Sequence, residues 1–248
     1  MTTPAHRVAL VTGAARGIGR SVVAALAKDD FHVVALDRDF DGSDLAESEA
    51  LALLRYDLTD IAGIAALVDS LGRIDVLINN AGVQNGLAID AYTEAARERI
   101  LTVNLKAPVE LIRTVSKQML ERHRAPPQRW AGSVGRIVNL TSVAAFMAHS
   151  DLWYGVTKAG IVSLTRSFAA MLGPQGIQVN AVAPGPIDTD MLNKFAQPER
   201  RAQLMQAVWS RRAGTPDELA EVVRWLAADA PVILNGAVID VTDGSFLR

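Results

Sequence analysis

Residues 8–20 read VALVTGAARGIGR, which indicates a strand, a tight turn and the start of a helix, in that order. Glycine allows positive φ angles and a close approach of the backbone to a ligand. The helix that follows would present unpaired N–H groups and the positive end of its dipole to a phosphate group. The spacing of Gly13, Gly17 and Gly19 is not the Gly-x-Gly-x-x-Gly dinucleotide fingerprint. A plain turn with a helix cap therefore stays open as an alternative.

Short apolar runs alternate with segments of helical period along the rest of the chain. The predicted strands are 7–11, 31–36, 51–56, 74–79, 135–140, 177–182 and 237–241. The predicted helices are 18–28, 61–70, 94–122, 152–172 and 216–228. Most strands lack a polar alternation, as expected when helices cover both faces of a sheet. The pattern predicts an α/β fold, a doubly wound (Rossmann-type) sheet of seven mostly parallel strands flanked by helices.

Composition bounds the domain organisation and excludes several kinds of function. No Gly/Ser-rich or charged linker divides the 248 residues, so we expect a single domain over 1–248. The net charge of −2 arises from 25 basic and 27 acidic residues that are well mixed, which gives no broad electrostatic footprint for nucleic acid or an anionic membrane. Because the chain has no cysteine, thiol catalysis, disulfides and thiolate metal sites are excluded.

The chain shows no targeting or membrane signal. Residues 1–7 lack the apolar core of a signal peptide, and every later hydrophobic run is interrupted before membrane-spanning length. The four histidines have no spacing typical of metal ligands. We therefore expect a cytoplasmic protein without a metal site. The segment 122–135, which contains adjacent prolines, is predicted to be a surface loop.

Two acidic residues follow the second and third predicted strands. Asp37 lies where an acid can bind both hydroxyls of an adenosine ribose. It would repel a 2′-phosphate, which favours NAD over NADP, although Arg16 and Arg38 could soften that rejection. A turn or capping acid is the alternative. Asp57, with Leu58 beside it, could accept a hydrogen bond from an adenine amino group or merely cap the next helix.

Tyr154 and Lys158 are four residues apart in the predicted helix 152–172, so their side chains share one face. A phenol is a poor acid or base near neutrality because its reference pKa is about 10. A nearby positive charge favours the phenolate. The pair therefore predicts a proton-transfer group, while an exposed pair of ordinary surface residues stays open as the alternative.

Four separated motifs resemble those of the short-chain dehydrogenase/reductase family, in the family's order and over essentially the whole chain. They are Thr12-Gly13-x-x-x-Gly17-x-Gly19, Asn79-Asn80-Ala81-Gly82, Ser142 with Tyr154-x-x-x-Lys158, and Pro184-Gly185-Pro186-Ile187-x-Thr189. The resemblance implies an enzyme that passes hydride directly between a substrate carbon and a bound nicotinamide. The protein then has to position the two and manage one proton.

The resemblance also implies which residues bind the cofactor. They are Gly13, Arg16, Gly17, Ile18, Gly19, Asp37, Asp57, Leu58, Asn79, Ala81, Gly82, Tyr154, Lys158, Pro184, Gly185, Ile187 and Thr189. Within this set, Asn79, Ala81 and Gly82 would line the cofactor beside the adenosine ribose, or would only stabilise the end of the fourth strand. Ile187 and Thr189 would contact the nicotinamide carboxamide.

The implied catalytic residues are Asn104, Ser142, Tyr154 and Lys158. Ser142 would hydrogen-bond the substrate oxygen, and Tyr154 would donate or accept the proton. Lys158 would bind the nicotinamide ribose and lower the pKa of Tyr154. Asn104 matches a helix asparagine that holds a water behind the lysine, with a helix kink and a locally satisfied amide as the alternative. Oxidation needs the phenolate, and reduction needs the phenol.

Substrate specificity is expected from a few polar residues and from a lid. The substrate-binding candidates are Gln84, Ser142, His149 and Tyr154, with Asp151 and Trp153 nearby. The segment of approximately 188–212 resembles the family's mobile substrate lid. These polar groups suit a hydroxylated substrate such as a sugar, a polyol or a sugar-derived acid, although His149 could be a rim residue without that role.

Two other functions stay open. One is an NADP-dependent reductase of 3-oxoacyl thioesters, against which Asp37 argues. The other is a nicotinamide-binding sensor without catalysis, which would not need the proton-transfer group.

The helices 94–122 and 152–172 carry apolar residues on more than one face, which indicates a second buried surface. The resemblance implies a homotetramer built on these helices.

Overall fold

The computed structural model describes residues 6–123, 133–195 and 198–248. Within them, apolar segments form a seven-stranded sheet of β1 (Arg7–Thr12), β2 (Phe31–Asp37), β3 (Leu51–Arg55), β4 (Val76–Asn79), β5 (Gly135–Leu140), β6 (Ile177–Pro184) and β7 (Val238–Val241). The strand order is β3-β2-β1-β4-β5-β6-β7, and every neighbouring pair is parallel. The predicted strands are confirmed, with ends that differ by at most two residues.

The helices largely follow the sequence pattern. They are α1 (Gly17–Lys28), α2 (Ile64–Ser70), α3 (Glu94–Leu101), α4 (Ala107–Arg122), α5 (Leu152–Leu172), α6 (Asp190–Phe195), α7 (Pro198–Ala207) and α8 (Pro216–Ala228). A π-helical turn over Thr102–Lys106 joins α3 to α4, so the predicted helix 94–122 is continuous but not regular. Helices α6 and α7 were not predicted, although Pro198 at the first position of α7 is a typical helix start.

Both faces of the sheet are covered, which explains the unbroken apolar strands. Every residue of β4 and of β6 is buried. On one face, residues such as Val22 of α1 and Val223 of α8 belong to one core cluster. On the other face, Leu111 of α4 and Ile161 of α5 belong to a second cluster. The doubly wound architecture is therefore confirmed.

Neighbouring parallel strands end at the same edge of the sheet, and this edge gathers the sequence motifs. The glycine turn follows β1, Asp37 ends β2, Ser142 lies two residues beyond β5, and Gly185 follows β6. Strand β1 lies between β2 and β4, so the chain winds away from it in both directions. Open α/β sheets bind ligands at the carboxyl ends of the strands, at such a switch point.

Two predicted segments lie partly outside the described residues. Residues 124–132 of the predicted surface loop 122–135 lie outside the described ranges, and so do residues 196–197 of the predicted lid. Within the described ranges, no helix combines the length and the apolar character needed to cross a membrane.

Candidate active site

A cleft of about 760 Å³ lies at the carboxyl edge of the sheet and collects most of the predicted site residues. Of these, the residues that line it are Gly13, Arg16, Gly17, Ile18, Asp37, Asp57, Leu58, Ala81, Gly82, Gln84, Ser142, His149, Tyr154, Lys158, Pro184, Gly185, Ile187 and Thr189. Gly19, Asn79 and Asn104 are not part of the lining. The motifs thus come together in space, although these three residues do not line the cleft.

The glycine turn is shaped by close backbone approach. Gly13 has φ of +64°, and a Cβ atom there would lie 2.7 Å from the Cα atom of Ala81. A Cβ atom on Gly19 would lie 2.1 Å from the carbonyl oxygen of Gly13, so Gly19 supports the turn from behind. Since a real side chain cannot occupy either position without a shift of backbone, both glycines are needed for this path of the chain.

Thr12 and Asn80 lock this turn to the loop after β4. The Asn80 side-chain amide donates to the carbonyl oxygens of Thr12 and Gly13, both at 2.9 Å. The Thr12 hydroxyl accepts the backbone N–H groups of Asn80 and Ala81, both at 3.1 Å. These two residues belong to the quoted motifs, but their locking role was missed because it depends on which loop packs against the turn.

Asn79 does not line the cleft, and its predicted contact with the cofactor stays a prediction. Its side-chain amide donates to Asn139 at 2.9 Å, and the Asn139 amide donates to Thr165 of α5 at 2.9 Å. Successive residues at a strand end point to opposite faces, so Asn79 faces the sheet's covering helix while Asn80 faces the glycine turn. Asn79 therefore stabilises the end of β4, which was the alternative for this residue.

Asp37 makes the turn contacts that were its alternative role, and its binding of the adenosine ribose stays a prediction. One carboxylate oxygen accepts the backbone N–H of Ala15 at 3.0 Å, and the other accepts that of Asp39 at 3.3 Å. The residue is half-buried and still lines the cleft. Arg16 and Arg38 line the same cleft and are exposed. This end of the cleft therefore presents one hydrogen-bonded acid and two exposed cations.

Asp57 also serves as a turn acid. Its Oδ1 atom accepts the backbone N–H of Thr59 at 2.9 Å. That bond, helped by the charges of Arg38 and Arg99, holds the pKa of the Asp57 carboxyl below its usual range. The lowered pKa keeps this carboxylate ionised. Asp57 and Leu58 line the cleft, as Asp37 does.

Tyr154 and Lys158 are buried at the centre of the cleft, which excludes the exposed-pair alternative. The Lys158 Nζ atom lies 5.6 Å from the centre of the Tyr154 ring and donates to the carbonyl oxygen of Leu140 at 2.8 Å. Burial lowers the pKa of Lys158 to about 8. The Thr141 hydroxyl donates to the carbonyl oxygen of Lys158 at 2.7 Å, which fixes this turn of α5 to the end of β5.

The pKa of Tyr154 moves in the opposite direction to the one expected from Lys158. Burial raises it to about 12, the hydrogen bond with Ser142 works against that rise, and the charge of Asp151 adds to it. Burial of the phenol is the largest of these effects, and Lys158, whose charge was expected to lower this pKa, is not among its causes. Tyr154 is thus held as a phenol at neutral pH, the form that donates a proton.

Asn104 lies in the π-helical turn with its amide fully paired, as the alternative for this residue proposed. Its Oδ1 atom accepts the N–H of Val83 at 2.8 Å, and its Nδ2 atom donates to the Val83 carbonyl at 2.8 Å and to Thr157 at 3.1 Å. A Cβ atom on Gly82 would lie 3.5 Å from Lys158 Nζ and 3.7 Å from Asn104 Oδ1. Asn104 therefore fixes the segment after β4 beside the lysine, and its role in holding a water stays a prediction.

The end of the cleft predicted to bind the substrate is lined by Gln84, His149 and residues after β6. The centre of the His149 ring lies 5.2 Å from that of Tyr154, and its Nδ1 atom lies 3.1 Å from the backbone N atom of Asp151. In the predicted lid, the cleft-lining residues include Met191, Leu192, Lys194, Leu204 and Ala207. Asp151 and Trp153 do not line the cleft, which gives no support to their predicted contribution to substrate binding. Asp151 is fully buried and already hydrogen-bonded.

The residues present fit a nicotinamide dinucleotide. Gly17 and Ile18, at the start of α1, line the cleft, and within the described chain the Arg16 N-cap side chain makes no capping bond to them. The first N–H groups of this helix therefore have room for a pyrophosphate. An acid stands at the end of β2, and a buried phenol and lysine stand farther along the cleft. This combination defines a nicotinamide-dependent oxidoreductase that acts on CH–OH groups.

Comparison with known proteins agrees with this class. The family model described as Enoyl-(Acyl carrier protein) reductase matches residues 13–245. The chain belongs to the short-chain dehydrogenase/reductase family, as its motifs indicated. It is 32% identical to the 3-oxoacyl-[acyl-carrier-protein] reductase FabG of Staphylococcus epidermidis, over 98% of this chain and 100% of the relative. It is 34% identical to galactitol 2-dehydrogenase of Agrobacterium fabrum, over 92% of this chain and 93% of the relative.

A solved structure shares the whole fold. It is a candidate NAD(P)-dependent gluconate 5-dehydrogenase of Beutenbergia cavernae with NADP bound at low occupancy. The two chains are 31% identical and superimpose with a TM-score of 0.85, with 98% of each chain covered. The present chain therefore has the same fold as this structure over nearly its whole length.

Proposed function

We propose that the protein is an NAD-dependent oxidoreductase that interconverts a secondary alcohol and a ketone on a sugar, a polyol or a sugar-derived acid. The observation that carries this proposal is the buried Tyr154 phenol, hydrogen-bonded to Ser142 beside Lys158, in one cleft with the glycine turn. The galactitol and gluconate dehydrogenases among its relatives support the substrate class.

The chain's own residues would position the reactants and move one proton. The bound nicotinamide would supply the hydride acceptor or donor. The glycine turn, Asp37, Lys158, Ile187 and Thr189 would hold the dinucleotide. Ser142 and Tyr154 would hold the substrate oxygen, with Tyr154 giving its proton in reduction and taking one in oxidation. The pKa of Tyr154 is raised to about 12. The rate of oxidation should therefore increase more steeply with rising pH than the rate of reduction does.

A substrate panel tests the proposal. Sugars, polyols, sugar acids and a 3-oxoacyl thioester would be offered with NAD(H) and with NADP(H), and the nicotinamide absorbance would be followed. We expect turnover of a hydroxylated substrate with NAD. Turnover confined to the thioester with NADPH would instead support the alternative reductase, which the FabG relative favours. Cofactor binding without turnover of any compound would support the sensor.

Asp37 is proposed to set the preference for NAD. Replacing Asp37 with Asn removes the charge while leaving an oxygen that can still accept the Ala15 N–H. The ratio of kcat/KM with NADPH to that with NADH should rise at least about tenfold, since hydrogen bonds to charged groups contribute about 1.5–3 kcal/mol. Arg16 and Arg38 line the same cleft and would become available to a 2′-phosphate.

The matched control is Asp44→Asn. Asp44 is an exposed acid that pairs with Arg20 and does not line the cleft, so this variant loses the same charge without touching the site. Its cofactor ratio should equal that of the unmodified protein. The proposal fails if the unmodified protein already prefers NADPH, or if both variants change the ratio equally.

The chain is proposed to form a single domain over 1–248. Within it, the segment of approximately 188–212 is proposed to be a substrate lid. Its residues Met191, Leu192 and Leu204 give the described part of the cleft an apolar cover, and Lys194 adds a cation to the lining. A cytoplasmic location, and the lack of nucleic-acid and membrane partners, stay predictions of the sequence.

We propose a homotetramer built on α4 and α5. Val109 of α4 and Leu152 and Val156 of α5 are exposed apolar residues on these two helices. Light scattering after size exclusion should give four chain masses. Val156→Glu should reduce the mass because a charge would be buried at the interface. Ile89→Glu, at another exposed apolar site that lies before α3, should leave the mass unchanged. A monomer before mutation would contradict the proposal.

A further inference from the structure

Asp151 is a buried carboxylate that the proposed reaction does not use. Its side chain has 0% exposure, and it is the N-cap residue of α5, three residues before Tyr154. Buried acids are rare unless their oxygens are fully paired. The partners of this carboxylate therefore show what the fold uses it for.

The carboxylate joins three separate segments at the substrate end of the cleft. Oδ1 accepts the backbone N–H of Tyr154 at 3.1 Å and the phenol of Tyr92 at 2.5 Å. Oδ2 accepts the backbone N–H groups of Asn85 at 3.0 Å and Gly86 at 2.8 Å. One acid thus ties the first turn of the catalytic helix to the segment that follows Gln84 and to the chain before α3.

These bonds keep the carboxylate charged. Burial alone would raise the pKa of Asp151, but the bonds from Tyr92 and from the backbone of Gly86, Tyr154 and Asn85 outweigh it and hold that pKa below its usual range. An anion therefore persists at neutral pH under the start of α5.

We propose that Asp151 is a positioning residue, which fixes Tyr154 and the substrate-facing segment 84–86 in one arrangement. The inference rests on the proposed function, since it assigns to Asp151 the geometry in which Tyr154 meets the substrate oxygen. Two cleft-lining residues, Gln84 and Asn85, sit on the segment that it holds.

The same charge acts on the phenol. The titratable and charged groups that face Tyr154 are Asp151 and Lys158 from its own helix and His149 from the preceding loop. Ser142 adds a hydrogen bond from the loop after β5. Of these, Asp151 is the anion, so its removal should let Tyr154 ionise at lower pH, while Lys158 and Ser142 stay in place.

Asp151→Asn tests both effects. The variant keeps the shape of the side chain and one acceptor oxygen. Its NH₂ group replaces the other oxygen and cannot accept hydrogen bonds from the N–H or O–H donors that it faces. We expect KM for the substrate to rise and kcat/KM to fall about tenfold to a hundredfold, as misplacement near the reacting atoms does. The pH at which the oxidation rate reaches half its maximum should fall.

The matched control is Asp75→Asn. Asp75 is another largely buried acid that accepts a backbone N–H, from Val8 at 2.8 Å, but it precedes β4 at the opposite edge of the sheet. Thermal melting should show that both variants lose stability. KM and the pH profile should change only in Asp151→Asn. Equal kinetic changes in both variants would overturn the proposal, because a structural role alone would then suffice.

A titration without substrate separates this proposal from the proposed function. Phenolate absorbance is followed against pH in the protein and in Tyr154→Phe, and the difference isolates Tyr154. Its midpoint should lie lower when Asp151→Asn is added, whether or not an alcohol is turned over. An unchanged midpoint would overturn the electrostatic role. If Asp151→Asn does not fold, Tyr92→Phe removes one partner and should raise KM, and an unchanged KM would overturn the positioning role.

Discussion

Replacing Tyr154 with phenylalanine is expected to lower kcat by about 10²- to 10⁴-fold, the range that a positioned acid or base contributes. The phenol oxygen is the group proposed to give or take the proton, and it lies within a buried site beside Ser142. Phenylalanine fills the same space, so the core should stay packed. The rate is measured under saturating substrate and cofactor, to separate the chemical step from binding.

The Tyr154→Phe variant carries its own control in cofactor binding. The glycine turn and the end of β2 lie at the other end of the cleft, so the dissociation constant of the dinucleotide should change little. Thermal melting should confirm that the fold is intact. Turnover close to that of the unmodified protein would remove Tyr154 from its assigned role.

Gly19→Ala is expected to weaken cofactor binding by about tenfold or more without changing any of the proposed catalytic side chains. The added Cβ atom would lie 2.1 Å from the Gly13 carbonyl oxygen and 2.5 Å from the Asn80 amide, so the glycine turn and its lock must both shift. Overpacking of this kind lowers stability by about 1–3 kcal/mol. Because the displaced groups are those proposed to bind the pyrophosphate, the dissociation constant should rise by about tenfold or more, which is about 1.4 kcal/mol.

Gly72→Ala is the matched control for this variant. Gly72 has φ of +69° in the turn between α2 and β4, away from the cleft, and nothing lies within 4 Å of a Cβ atom there. Alanine in this left-handed conformation costs about 1–2 kcal/mol. The control should therefore lose similar stability and keep its cofactor affinity. A normal dissociation constant in Gly19→Ala would contradict the role given to the turn.

The sheet and its main helices could be predicted because each signal is local. Strands such as β4 and β6 are buried along their whole length and so read as unbroken apolar runs. Helix α5 was predicted with its observed ends. Helices α6 and α7 were missed because they are short and lie over a cleft, where no regular apolar stripe is required.

The site could be predicted only where the position of a residue in its motif determines the direction in which its side chain points. Tyr154, Lys158 and Ser142 meet in the cleft as expected. Asn79 faces the covering helix and Asn80 faces the glycine turn, because one step along a strand reverses the face of the sheet. The sequence places Asp151 among the polar groups near the substrate, but it does not reveal its burial, which depends on Tyr92 and on a loop more than 60 residues away in sequence.

The electrostatics of Tyr154 needed the structure for the same reason. From the sequence, the neighbouring Lys158 was expected to dominate, because the two residues share a helix face. The fold buries the phenol and adds the charge of Asp151, and these effects raise its pKa to about 12. The net direction of a pKa shift depends on burial, which spacing along a helix does not reveal.

Transfer of an isotopic label tests the central claim most directly. A secondary alcohol found active in the substrate panel would be prepared with deuterium on its carbinol carbon and incubated with the protein and oxidised NAD. Mass spectrometry of the cofactor should then show the label in the reduced nicotinamide, and Tyr154→Phe should slow its appearance in proportion to kcat. Formation of ketone with the label released to water, or with none in the cofactor, would contradict direct hydride transfer at this site.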